Sequence, residues 1–329
     1  MIKAFHLVLG FLLIALPASM SMANEPVSAF PSRAVRLIVP YPAGGSNDIV
    51  ARLMAAKLSE RWKQNVIVEN KVGASGILAS EYVANSPPDG YAILVGSNSA
   101  TTIAEHLELK SATFRGLKDL VPLTNVLSVP AVLVANPKVP ANNLAELVAF
   151  LKKSPGKYTY SSSGAQSGYH LSMVQFQTMT GTELVHVPYG GLAPAELAVI
   201  AGDVDVMLDS SLTSLHYIKG GQMKVIGLAS LEPWPLAPDY PLLSKTLPGF
   251  QSLSFIGLFA SRGTPQPLAD KLTEEFRAVL NDGDLRKRLL ELGALRSSIG
   301  MSTEDFRTFL AADSKTWGDV IRAGNASSK

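Results

Sequence analysis

Apolar residues along this 329-residue chain fall into two alternating patterns. Runs of three to five positions with strand character are followed by breaks of Gly, Ser, Asn and Pro. After each break, apolar residues tend to return every third or fourth position, the period of a helix with one face on a core. Residues 35–39 (Val-Arg-Leu-Ile-Val) predict the first strand, closed by Pro40. Beyond the break at 41–46, Ile49, Leu53 and Ala56, with Val50, Met54 and Leu58, predict a helix. Ser46 or Asn47 suits its N-cap, and Asp48 in the first turn complements the helix dipole. Strand 66–70, break 73–76 and helix 77–84 make a second unit, and the turn Pro87-Pro88-Asp89-Gly90 leads to strand 91–95. The theme returns with strand 158–160, break 161–168, helix 169–180, strand 184–187 and break 188–191. A helix starting near Pro194 and a strand at 204–208 follow, the strand running into Asp209-Ser210-Ser211. The last third predicts helices at 267–280, 284–292 and 303–321.

Strands alternating with helices predict an α/β fold whose mostly parallel sheet carries helices on both faces. Two segments suit crossings between lobes: residues 121–134, extended and broken by Pro122 and Pro130, and 225–229, followed by the proline-rich 232–241. With both as crossings, residues 24–124 and 228–329 form lobe I and residues 125–227 form lobe II. The alternative is two domains in series with a break near residue 120. The first arrangement is favoured, because otherwise the C-terminal helices have too few strands to cover.

Composition narrows the function. A chain that is 47% hydrophobic and 17% charged is long enough for a large core. Its 29 basic and 27 acidic residues leave +2, which offers no basic face for nucleic acid. The absence of cysteine excludes disulfides, thiolate metal sites and a Cys nucleophile. At the N-terminus, Lys3 precedes an apolar run from Ala4 to Pro17 and the small residues Ser21-Met22-Ala23. This is the pattern of a secretory signal peptide cleaved after Ala23, and the run is too short for a membrane span. Removing residues 1–23 takes away only Lys3, leaving 28 basic and 27 acidic residues, or +1. The expected location is the periplasm.

In open α/β sheets, ligands bind at the carboxyl ends of strands, where helix N-termini present N–H groups. The breaks 41–47, 73–76, 97–101, 161–168, 188–191 and 209–211 all fall there and contain no Lys or Arg. Such loops suit a carboxylate held by backbone amides and hydroxyls rather than by a salt bridge. Enzyme patterns fit poorly. Gly44-Gly45 matches neither phosphate-loop nor dinucleotide spacing. Ser167 sits one place late for a nucleophile elbow in Gly164-Ala165-Gln166-Ser167-Gly168. No metal or cofactor site is expected.

In order, these loops resemble the Bug-type extracytoplasmic solute receptors of tripartite tricarboxylate transporters. The resemblance rests on Pro42 to Arg52, Val68 to Gly76, Pro88-Asp89-Gly90-Tyr91, Tyr160-Ser161-Ser162-Ser163-Gly164, His186-Val187-Pro188-Tyr189, Gly202 to Met207 and Gly257-Leu258-Phe259-Ala260. It implies a type II periplasmic-binding-protein fold, two lobes with a ligand cleft between them, and a small carboxylate as ligand. That ligand would be a di- or tricarboxylate, an acidic amino acid or an aromatic acid. It also implies two pincers on a ligand carboxylate. The first holds Tyr41, Ala43, Gly44, Gly45, Ser46 and Asn47; the second holds Ser162, Ser163, Gln166 and Ser167. Asn98 and Ser99 would line the wall. Tyr189, with Tyr41 and Tyr169, would stack on an aromatic acid or simply pack. Asp209 would read an ammonium or hydroxyl, or else cap the helix starting near Leu212. Gly190-Gly191 and Asp209-Ser210 depart from the family's usual residues and bear on the ligand's far end. The implied partners are membrane permease subunits or a sensor domain, with the receptor a monomer. The rival functions are a signalling receptor and an exported serine hydrolase using Ser163 or Ser167.

Overall fold

The computed structural model describes residues 26–107, 114–165 and 167–327. The predicted signal peptide and Gln166 lie outside these described residues. Strand β1 (Val35–Val39) pairs in parallel with β2 (Val66–Asn70) and with β3 (Ala92–Gly96), and helices α1 (Ser46–Trp62) and α2 (Ile77–Ala84) carry the connections. All five residues of β3 are buried, which is why it reads as an unbroken apolar run. The edge strand β2 has no fully buried residue and ends in the polar Glu69-Asn70.

The long strand β4 (Leu120–Ala135) follows, then α3 (Leu144–Lys152), β5 (Thr159–Ser162), α4 (Gly168–Thr180), β6 (Val185–Pro188) and α5 (Leu192–Ala201). Next come β7 (Val206–Ser210), α6 (Ser211–Lys219), β8 (Lys224–Ala229) and β9 (Leu253–Ser261). Helices α7 (Gln266–Leu280), α8 (Gly283–Glu291) and α9 (Thr303–Ser327) complete the chain. The sheet runs β2-β1-β3-β9-β4-β7-β5-β6, with β8 also on β4.

The expectation of a mostly parallel sheet needs correction. Four of the eight pairings are parallel and four are antiparallel. The antiparallel ones all involve β4 or β9, the two strands that run back through the middle. From Leu120 to Pro130, β4 is bonded to β9; from Ala131 to Ala135 it lies between β7 and β8.

Apolar clusters fill both faces of both halves. One joins the β1–β3 side to α1, α7 and α8, around Leu37, Met54, Leu272 and Phe276. On the opposite face, α2 and α9 cover Ile38, Leu94 and Phe259 through Val83 and Phe306. Beyond the middle of β4, Leu133, Tyr160 and Phe176 pack with α3 and α4, and Val134, Met207 and Val199 pack with α5. A fully buried aliphatic side chain contributes about 1.5–3 kcal/mol, so each layer holds its helices firmly. A smaller cluster of Ile103, Leu171, Trp317 and Val320 ties α9 to α4.

Two elements, α3 and β9, escaped the sequence pattern. The first begins with Asn143, whose side chain accepts Glu146 N–H at 2.9 Å, a capping signature present in the sequence. Among the described residues no helix is long and apolar enough to cross a membrane.

Candidate functional site

The parallel strands β1, β2 and β3 on one side and β5, β6 and β7 on the other end in the loops singled out by sequence. The two sets of loops meet. Ser99 Oγ accepts the N–H of Gly168 at 3.1 Å, and Ser75 Oγ donates to the carbonyl of Ala165 at 3.4 Å. Below them, Ser172 Oγ and Ser252 Oγ lie 2.7 Å apart.

The loop after β1 is shaped from beneath. Helix α1 is capped by the backbone of Gly45, not by Ser46 or Asn47 as expected. Asn47 is buried and donates through Nδ2 to the Val95 carbonyl at 3.0 Å, so its amide braces the loop against β3. Asp48, 2% exposed, accepts Gly44 N–H, Asn70 Nδ2 and two bonds from Arg52, all at 2.9–3.0 Å. Burial opposes ionisation of Asp48, but these donors outweigh it and hold the carboxyl below its usual range. Asn70 Nδ2 also donates to the carbonyl of Tyr41. Ala43 and Gly44 are left exposed at the tip, Gly45 and Ser46 half-buried. Gly44 has φ +84° with nothing within 4 Å of a Cβ, so its backbone conformation rather than space selects glycine. The first N–H groups of α1 point out of the helix beside this tip.

Tyr41 Oη lies 2.6 Å from Ser97 Oγ, and burial raises its pKa. Asn98 is committed elsewhere. Its Nδ2 lies 2.9 and 3.0 Å from the two carboxylate oxygens of Asp313 on α9, and its Oδ1 accepts Phe255 N–H. Thr102 Oγ1 donates to the same carboxylate at 2.6 Å. Burial pushes Asp313 up to about 6 against those donors. Asn98 thus anchors the loop on which Ser99 stands.

In the second loop set, Ser162 is wholly buried, Ser163 and Gly164 half-buried and Ala165 exposed. Ser167 caps α4 by accepting His170 N–H. Ser162 Oγ donates to the Gly164 carbonyl at 2.9 Å and lies 2.7 Å from His186 Nε2. His186 stacks on His170, ring centroids 3.9 Å apart, and His170 Nδ1 faces Tyr160 Oη at 2.9 Å. Burial, then the neighbouring His186, pushes His170 down to about 4; burial also lowers His186. Tyr189 is half-buried, its N–H donating to the Ser162 carbonyl at 3.0 Å.

Asp209 is wholly buried, and its Oδ1 accepts Ser210 N–H at 2.7 Å, just ahead of α6. Burial and the neighbouring Glu196 raise it well above the usual carboxyl range. Glu196 went unnoticed in the sequence, although it is the single charge in the apolar helix Leu192–Ala201. Among the described residues no group of three or more His, Asp or Glu could hold a metal ion.

The sequence profile described as "Tripartite tricarboxylate transporter family receptor" matches residues 50–326. Protein BugT of Bordetella pertussis is 30% identical over 307 residues, covering 92% of this chain and 94% of that one. Among solved structures, R. palustris Rpa4515 with adipate superposes with a TM-score of 0.82 at 30% identity, covering 90% of this chain and 98% of its own. MatC from Rhodopseudomonas palustris with bound malate gives 0.80 at 31% identity, covering 89% and 100%.

Proposed function

The chain belongs to the tripartite tricarboxylate transporter receptor family, and on that premise we propose that it captures a small carboxylate in the periplasm and delivers it to membrane permease subunits. The observation that carries this reading is the meeting of two loop sets, through Ser99 with Gly168 and Ser75 with Ala165, where helix N-termini converge without a Lys or Arg in the loops. Backbone amides and hydroxyls in that arrangement suit a carboxylate held by a nearly neutral surface. The adipate and malate held by the two relatives support the same ligand chemistry.

In this reading the grip comes from Tyr41, Ala43, Gly44, Gly45, Ser46 and the backbone of Asn47 on one side. Ser162, Ser163, Gln166 and Ser167 supply the other, with Ser99 and Tyr189 as wall. Lobe I is residues 24–124 with 228–329, and lobe II is 125–227. The exchange of partners along β4 at Pro130 and Ala131, inside the expected crossing 121–134, and the return between β8 and β9 support two halves joined by two crossings. The protein acts by closure around ligand rather than by catalysis. The leader, cleaved after Ala23, directs export.

A thermal-shift screen tests this on protein unfolded and refolded to strip trapped ligand. Dicarboxylates, tricarboxylates, acidic amino acids, aromatic acids and uncharged analogues form the panel. One class of acid is expected to raise Tm by several degrees, since saturation at 100 times Kd adds about 2.7 kcal/mol. Silence across every acid overturns the proposal.

A further inference from the structure

The C-terminal helix α9 is rooted on one half of the sheet and rests on the other. Its first half packs on β9. The ring of Phe306 lies 5.9 Å from that of Phe255 and 5.4 Å from that of Phe259, and the rings of Phe309 and Phe255 are 5.4 Å apart. Its middle is bonded to residues 98–106, the segment that carries Ser99. Asp313 accepts from Asn98 Nδ2 and Thr102 Oγ1. Ser314 Oγ donates to Glu105 Oε1 and lies 2.8 Å from His106 Nε2. One turn further on, a Cβ on Gly318 would sit 2.8 Å from His106 Cε1, so only glycine lets that ring approach the helix so closely. Glycine is otherwise a poor choice inside a helix.

Beyond these bonds α9 reaches α4, the helix that begins at the second loop set. Trp317 and Val320 are buried against Leu171 of α4 and Ile103. The two attachments differ in kind. Toward β9 and residues 98–106 there is aromatic packing together with directional hydrogen bonds, some of them onto carboxylates. Toward α4 the seam is formed by apolar side chains, whose attraction is non-directional and follows the area removed from water. The other contacts across this boundary are the hydroxyl bonds of Ser99, Ser75 and Ser172. We propose that the second half of α9 is a latch for the closed form: it stays with β9 and residues 98–106, and opening of the cleft draws Leu171 away from Trp317 and Val320. The latch rests on the closure described under the proposed function. It makes ligand affinity depend on apolar area buried at the C-terminus, on residues outside both ligand loops.

Thiol labelling tests it. The chain has no cysteine, so one introduced thiol is read without background. Ligand-stripped Leu171→Cys and Val320→Cys, one on each side of the seam, are treated with an aromatic disulfide reagent at urea concentrations below the unfolding transition. Both should react, at rates nearly flat in urea, because opening exposes far less surface than unfolding. Ser314→Cys, on the side that stays attached, should react only in step with unfolding, with a rate that climbs steeply in urea. Two seam positions guard against one variant failing to fold. If both seam thiols wait for global unfolding, or if Ser314→Cys reacts as fast as they do, the latch is overturned.

The second arm adds ligand. An acid that raises Tm in the panel should, at 100 times its Kd, slow labelling at both seam positions by about tenfold or more, since it draws the protein into the closed form. An acid that binds and leaves both rates unchanged overturns the latch. Silence of the whole acid panel brings down the receptor reading instead, while labelling of the ligand-free protein still decides whether the seam opens.

Discussion

Ser99 Oγ accepts the N–H of Gly168 at 3.1 Å, so a hydroxyl standing on the loop after β3 satisfies a first-turn donor of α4 in the other half of the sheet. The loop is fixed in turn by Asn98, whose amide is held by Asp313 of the C-terminal helix. Such a bond exists only while the two halves are close.

Ser99→Ala should therefore shift the free protein toward an open form while leaving each half intact. Net loss of one hydrogen bond is worth about 1 kcal/mol, so ligand affinity should drop by roughly fivefold with little change in the stability of the ligand-free chain. Small-angle scattering with and without ligand, beside titration calorimetry, reads both. Equal affinity in variant and wild type would show that this contact plays no part in closure.

Asp48 gathers Gly44, Asn70 and Arg52 under the first loop. Asp48→Ala leaves those donors without their acceptor, and a loss of about 1–3 kcal/mol is expected, together with weaker ligand binding. Because the folded carboxyl titrates below its unfolded value, its contribution is present above about pH 3.9 and is lost as pH falls through the lower folded value. Denaturant midpoints from neutral pH down to about pH 3 should show a steeper acid loss in the wild type than in the variant.

The stacked rings of His170 and His186 predict a second, separate acid sensitivity. His170 takes up its proton only near pH 4 when folded but at about 6.5 when unfolded. The unfolded chain thus binds more protons between those values, and stability should fall as pH drops through that window. His170→Gln should flatten the slope. An unchanged slope would mean that the rings open to solvent before they titrate.

Strand and helix positions could be taken from the chain wherever a segment served one layer. Residues 35–39, 66–70 and 77–84 match β1, β2 and α2, because apolar periodicity is a local property. Long-range partners carried no such signal. Asn98 suited a cleft wall by its place in a Ser-Asn-Ser loop, but its partner Asp313 lies 215 residues away on a helix face that looks merely polar. Asp48 looked like a dipole complement in a first turn, and its service to Gly44 and Asn70 depends on how β1 and β2 bring two loops together. Glu196 was the exception, a lone charge in an apolar helix that could have flagged a buried partner. The strand order also depended on distance: with β9 unassigned, nothing indicated that antiparallel pairs fill the middle.

A single strand, β4, serves as an interior member of both halves, bonded to β9 up to Pro130 and to β7 and β8 from Ala131. Neither half can be excised or exchanged for that of a relative by cutting at a surface loop, since one of the cuts must fall inside this buried ribbon. Any bending of one half against the other is likewise carried as backbone torsion along the same ribbon, where a few adjacent peptide units act as the molecule's axle.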